Sequence, residues 1–365
     1  MYYHDRMGVR NLQVRDVMTA EQVPAVSVTS AASFEVLIGL YAACSPQEGR
    51  EPSWVPRSLE ACPPPVPAAL SAVGERSGEL WLHLLGVAVE APSDLVAAVE
   101  ALTPLELRRH LVGAYVPAWR AVVGKATIEA AARGDRAATR VLLSHPVYYA
   151  GRARESLETI LPLSAPETKR RVLAVLRAFA RDVFDPHEVE VVEELEADAR
   201  EKQRLQSGVG ALELIDKASG GYLYEIEPEF ERVLLVPHLA ARPWLLLCQH
   251  KRFRIICYPV RTGERQPGEQ LLAVGRALGD PRRLALLERL RKGEASLPEL
   301  ADEVGLARST THHHLHRLRA ASLVTLRGNA AGYTYALDPA GFADAERLLA
   351  SFPVRPTPSR RGTPA

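Results

Sequence analysis

Cysteine is scarce in this sequence. Four in 365 residues (Cys44, Cys62, Cys248 and Cys257) do not build a disulfide framework, which excludes a stapled secreted scaffold and fits a reducing cytosol. Long apolar runs are missing too. None reaches the ~20 residues of a membrane-spanning helix, because charge or proline interrupts the longest of them. The opening MYYHDRMGVRNLQVRDVMTA has no apolar core of the kind a signal peptide needs, and Met7 and Met18 offer alternative starts. A cytoplasmic chain without a membrane partner is therefore expected. Charge of one sign is not in excess either. With 45 Lys and Arg against 44 Asp and Glu the net charge is +1, so only local asymmetry carries information.

Signatures of catalysis are also lacking. VVGKAT (122–127) offers a Gly-Lys pair, but Trp119 stands where a phosphate loop needs its first glycine and Ala126 where it needs a hydroxyl. SGVGAL (207–212) sets two glycines inside a predicted helix, not in a dinucleotide-binding turn. Neither a nucleophile elbow nor an HExxH-like pair occurs. No catalytic residue, cofactor or enzymatic activity is expected. His83, His110, His145 and His187 stand isolated in polar or capping surroundings, where a structural part is the simplest reading.

What is present is 47% hydrophobic and 24% charged residues, the balance of a globular protein, at a length that implies two or three domains. After a tail at 1–23, residues 24–218 repeat apolar positions every three or four residues, as in SFEVLIGLYAAC, GELWLHLLGVAVE and ETKRRVLAVLRAFARDVF. They predict a helical regulatory domain. Ser93, Thr103 with Pro104, and Ala165 with Pro166 and Glu167 mark helix starts. The acidic DPHEVEVVEELEADARE (185–201) predicts a solvated face on a long helix running towards Lys217. Character changes at Ser219-Gly220-Gly221. GYLYEIE, RVLLVP, PWLLLCQH and RFRIICYP predict four strands, the last two forming a hairpin around His250 and Lys251. Residues 219–262 are thus expected as a short antiparallel β region completing the regulatory domain, with a linker over 260–270. The fold class is mainly α with minor β.

Residues 263–354 return to helical spacing and can be parsed from local rules. Leu271, Leu272, Val274 and Leu278 mark a first helix, stopped near Gly279-Asp280; Pro281 opens a second, ended by Gly293. Ser296 with Glu299 predicts a capping box on the short helix LPELADEV. Gly305 permits a tight turn, a further helix runs from about Arg308 to Ala321, and LVTLR-GNAAG-YTYAL predicts a hairpin. Two helices across a short turn followed by a hairpin are a winged helix-turn-helix, whose second helix enters a major groove. Between Val304 and Leu337 stand Arg308, Arg317, Arg319 and Arg327 and not one acid, the asymmetry that phosphate attraction requires. The tail RPTPSRRGTPA (355–365) reads as disordered and basic.

GDPRRLALLERLRKG, followed by LPELADEVGLARSTTHHHLHRLRAASLV and a tyrosine-rich wing, resembles the ArsR-type winged-helix regulators over about 80 residues. The resemblance implies a repressor that binds a palindromic operator in double-stranded DNA and answers to a small-molecule effector. It also implies a homodimer, joined through Gln270–Leu278 and the helix from about Pro339 to Phe352. Metal-sensing relatives carry a Cys-x-Cys on the helix before the turn or Asp and His on the last helix. Here LPELADEV has no cysteine, and AGFADAERLLASF has Asp344 but no histidine, so no metal is expected at those sites. Ala307 replaces the usual polar cap of the recognition helix and Ser322 the usual glycine after it.

On the recognition helix Thr311, Leu315 and Leu318 share a face that points into the module's core, with His314 leaning the same way. Ser309, His312, His313 and His316 fall outside it and are expected on base edges and the sugar-phosphate; Arg308, Thr310, Arg317 and wing residue Arg327 are expected on phosphates. His312 and His316, four apart, also have the spacing of a metal pair, though neighbouring carboxylates and cysteines are missing. Cys248 and Cys257 fall on adjacent predicted strands as buried free thiols or, alternatively, a redox switch. The competing function class is a protein-interaction scaffold or uncharacterised enzyme that uses the winged helix as a contact module.

Overall fold

The computed structural model describes residues 23–44, 53–62, 65–73, 78–260, 267–329 and 332–351. The tails expected at 1–23 (save Val23) and 355–365, and linker residues 261–266, lie outside them. Eight strands are described: β1 (Ala25–Val28), β2 (Tyr222–Tyr224), β3 (Arg232–His238), β4 (Leu246–His250), β5 (Phe253–Pro259), β6 (Ala295–Ser296), β7 (Val324–Asn329) and β8 (Gly332–Leu337). The architecture is mainly α with minor β, and no single helix among the described residues is long and apolar enough to cross a membrane.

Helix α1 (Ala32–Cys44) is apolar on every side, with Phe34, Leu37, Ile38 and Leu40 buried. A helix of that kind belongs at the centre of a bundle. Short helices from Trp54 to Leu157, and then α2 (Ala165–Phe179), share its core. Thr103 caps its helix as predicted, in a capping box with Glu106, and two other starts shift by one residue. Asp94, not Ser93, accepts from Ala97 N, and Ser164, not Ala165, accepts from Glu167 N, each satisfying an amide of the first turn. The long acidic helix is two. α3 (Glu188–Gln206) ends before Gly208 and Gly210, and α4 (Ala211–Ser219) begins after them; two glycines within three residues cost more backbone entropy than one continuous helix recovers there.

The hairpin around His250 and Lys251 is present, with Lys251 in the left-handed region at φ +51. The β region is nevertheless not antiparallel as expected. Its order is β1-β3-β5-β4, with β1 and β5 both parallel to β3 and only β4 antiparallel. β4 occupies the outer edge, so β5 returns beside β3 in the same direction; β1 arrives from a segment read as part of the helical domain. Local patterning marks a strand but not its partner.

Period-two alternation then divides these strands between two cores. Leu234, Val236, Ile255 and Cys257 point into the helical domain, while Val233, Leu235, Ile256 and Tyr258 point to the other side. The second side packs on α4 and the C-terminal module, so both parts of the chain share one sheet as a wall. Cys257 is buried and Cys248 partly so, both as free thiols.

The module itself follows the local reading closely: α5 (Pro267–Leu278), α6 (Pro281–Leu290), α7 (Leu297–Val304), α8 (Arg308–Ala320), the β7–β8 hairpin and α9 (Pro339–Ala350). One strand changes allegiance. Tyr222–Tyr224, expected in the regulatory β region, pairs in parallel with β7, giving a wing sheet of order β2-β7-β8-β6. The Tyr222 hydroxyl donates to the Gly328 carbonyl at 3.0 Å, and buried Arg254 of β5 donates to the Tyr333 hydroxyl of the wing at 2.7 Å.

Candidate nucleic-acid interface

Ser296 and Glu299 form the capping box that opens α7, each side chain bonding the other's backbone amide. Gly305 ends the helix at φ +68, and its amide bonds Ala301. A residue with a Cβ would be strained at this dihedral. The turn delivers the chain to α8, whose N-cap Ala307 makes no side-chain cap bond. Thr311, Leu315 and Leu318 are fully buried, as their spacing predicts. His314 joins them, with Nδ1 3.9 Å from the Asp280 carboxylate that caps α6; burial lowers its pKa against the pull of that carboxylate. Ser322 takes the left-handed conformation of the glycine it replaces, at φ +57. Its carbonyl lies against Gly341 of α9, where a Cβ would sit 1.5 Å away.

The outer surface of α8 splits into two sides. On the exposed side Arg308 and Arg317 are open to solvent, and Thr310 and His313 are half-buried. Arg317 Nε donates to His313 Nε2 at 3.1 Å, which orients that imidazole. The Ser309 side chain lies outside the described ones. On the wing Arg327 is 48% exposed, with Nε 3.5 Å from Glu294 Oε1. The stretch from Val304 to Leu337 has no acid in sequence, yet the β6–β8 pairing carries Glu294 up to the wing beside it.

The other side is covered. His312 stacks on the Trp244 ring at 5.1 Å between centroids and 25°, and His316 meets the same ring at 4.7 Å. The wheel directs His316 outward, whereas the structure buries it, its Nε2 bonded to the Pro243 carbonyl. Burial, with Arg319 and His313 nearby, lowers the pKa of His312, and burial with Arg319 takes His316 down to about 3. Both imidazoles are thus neutral at pH 7 in this arrangement. Arg319, one of the four arginines of the acid-free stretch, is buried and donates to the Ser219 carbonyl at 3.4 Å.

The covering loop, residues 239–245, is itself held. Buried Glu35 of α1 accepts from Trp54 Nε1 at 2.8 Å and from the amides of Leu239 and Ala240 at 3.2 and 2.7 Å. Burial still raises its carboxyl to about 7. His238 Nε2 lies 2.9 Å from the Trp244 carbonyl. No local signal in the sequence marks Trp244, because some 70 residues separate it from α8 and it looks like one more strand residue in PWLLLCQH. Among the described residues, no group of three or more His, Cys, Asp and Glu side chains is placed to hold a metal ion.

Comparison with known proteins agrees with this geometry over one part of the chain. A family described as "Helix-turn-helix domain" matches residues 278–327. The nodulation protein NolR of Rhizobium meliloti is 43% identical over 54 residues, 15% of this chain and 44% of the relative; the chain therefore spans under half the length of that curated relative. A crystal structure of an ArsR family transcriptional regulator is 32% identical, covering 24% of this chain and 90% of that one, with a TM-score of 0.22. The crystal structure of NolR from Sinorhizobium fredii is 30% identical, covering 23% and 86%, with a TM-score of 0.20. Residues 278–327 are a helix-turn-helix domain, and with the β7–β8 hairpin they form a winged helix.

Proposed function

We propose that the chain is a sequence-specific DNA-binding transcription regulator of the repressor kind, gated by its own N-terminal part. The observation that carries this reading is the exposed side of α8 and the wing: a helix-turn-helix presenting Arg308, Arg317, Arg327 and His313 outward. Arg308 and Thr310 lie at the N-terminus of α8, where backbone amides favour a phosphate. In this reading Arg308, Thr310, Arg317 and Arg327 neutralise phosphates, while His313 and Ser309 read base edges. His312 and His316 join them once the Trp244 loop leaves. The covered and uncovered arrangements are then the two states that an effector biases.

A homodimer completes the proposal. Leu272 of α5 and Leu349 of α9 are more than half exposed, on two helices that pack together. Pairing these helices about a two-fold axis would bury both leucines and set two copies of α8 on half-sites about 34 Å apart. Selection of duplexes from a random pool by the full chain, followed by titration across salt, tests the reading. Palindromic sites are expected, with affinity falling steeply as salt rises because condensed counterions are released. Absence of DNA binding, or binding indifferent to salt, would overturn it.

A further inference from the structure

Trp244 covers α8 without filling the space beside it. A cavity of about 630 Å³ lies between the 244–247 segment, the start of α7, α8 and the wing, within the range of about 300–1,000 Å³ typical of small-molecule sites. Its walls are mainly apolar and ring-bearing: Trp244, Leu247, Leu297 and Tyr333 face it, with His316 beside Trp244. Among the described residues no carboxylate lines it, and Arg319 is the one charged side chain that does. A buried arginine, 7% exposed, whose described neighbours around the cavity include no acid, favours a ligand that brings a negative charge, since charge-assisted bonds strengthen where water is excluded. The flat faces of Trp244 and Tyr333 suit a planar body.

We infer that this cavity is the effector site and takes a small, planar, mostly apolar molecule bearing one acidic group. Its place in the fold sets the consequence. One wall belongs to the regulatory sheet and its loop, the opposite walls to α8 and the wing. A molecule touching both binds only the covered arrangement, so it withdraws His312 and His316 from DNA and weakens operator binding. That consequence rests on the DNA-binding reading above; occupancy of the cavity does not.

Calorimetric titration of the full chain with benzoate, 2-naphthoate and indole-3-acetate, and with 2-naphthalenemethanol as an uncharged counterpart, tests the inference. At least one acid is expected to bind one per chain and to quench tryptophan fluorescence. Leu247→Trp, which fills the cavity from β4, should weaken that acid about tenfold or more. Arg319→Gln should abolish the preference for acid over alcohol and Arg319→Lys restore part of it, with circular dichroism reporting that each variant folds. Because Arg319 also bonds Ser219, Leu247→Trp stands as the independent variant. Binding by none of the acids, undiminished binding to Leu247→Trp, or equal binding of acid and alcohol would overturn the inference. A bound acid that leaves DNA affinity unchanged overturns the effector role alone. If the chain binds no DNA at all, the regulator reading falls and the titration still decides the site.

Discussion

The two sides of α8 carry the same kinds of residue in opposite circumstances. Half-buried His313 and exposed Arg317 bond each other, whereas His312, His316 and Arg319 lie against Trp244, the Pro243 carbonyl and the Ser219 carbonyl. Their composition does not distinguish them. Only the exposed side offers its charge to solvent as it stands; on the covered side the two imidazoles are neutral and the Arg319 guanidinium is buried. A basic, histidine-rich helix therefore reports its interface only after one knows which neighbours it already has.

Removing the cover should have the largest effect. Two ring contacts worth about 0.5–1.5 kcal/mol each hold Trp244 to α8, so Trp244→Ala should tighten DNA binding by about thirtyfold. Fluorescence anisotropy with a selected duplex measures it; an unchanged or weaker affinity would show that the covered side never opens.

Acid should act in the same direction. The covered state holds His316 at about 3 against an ordinary 6.5. Between those values the uncovered state binds the additional proton, so falling pH favours uncovering. Operator affinity should rise at least about tenfold from pH 7.5 to 5.5, and His316→Gln should reduce the response to the part that His312 carries. His110 of the helical domain and His250 of β4 are also depressed to about 4, chiefly by burial. The unfolded chain binds their protons more readily, so thermal stability should fall over the same interval in both proteins. Only the DNA response separates them.

The exposed side predicts smaller changes. His313→Ala should reduce discrimination between selected and random duplex by about fivefold, in line with a base contact of about 1–3 kcal/mol; equal loss on every sequence would assign it to the backbone. Arg327→Ala should weaken all sequences about twofold and lower the salt slope by about one ion. Glu294 already offsets part of that arginine's charge, so Glu294→Gln is expected to strengthen binding slightly at low salt.

Much of the C-terminal module was legible because its rules are local. Ser296 with Glu299, Gly305, Pro281 after Asp280, and the alternation on either side of 328–332 each act within a few residues. The core face of α8 followed from helical spacing, and Thr311, Leu315 and Leu318 are buried accordingly. Pairing was not legible. β1 and β2 find partners some 100 to 200 residues away, and nothing in AVSV or YLY names them. The histidine face failed for the same reason, since a wheel gives an angle and not a neighbour.

The sequence by itself determined the kinds of element, the helix-turn-helix over 278–327 and the arginines that line it. Spacing, capping and backbone dihedral preference act over a few residues and survive without knowledge of the rest. The tertiary structure alone decided that one sheet serves two cores, that Glu294 stands beside Arg327, and that Trp244 closes half of the recognition helix over a cavity. Those outcomes depend on which distant surfaces exclude water together, and that is a property of the packed chain as a whole.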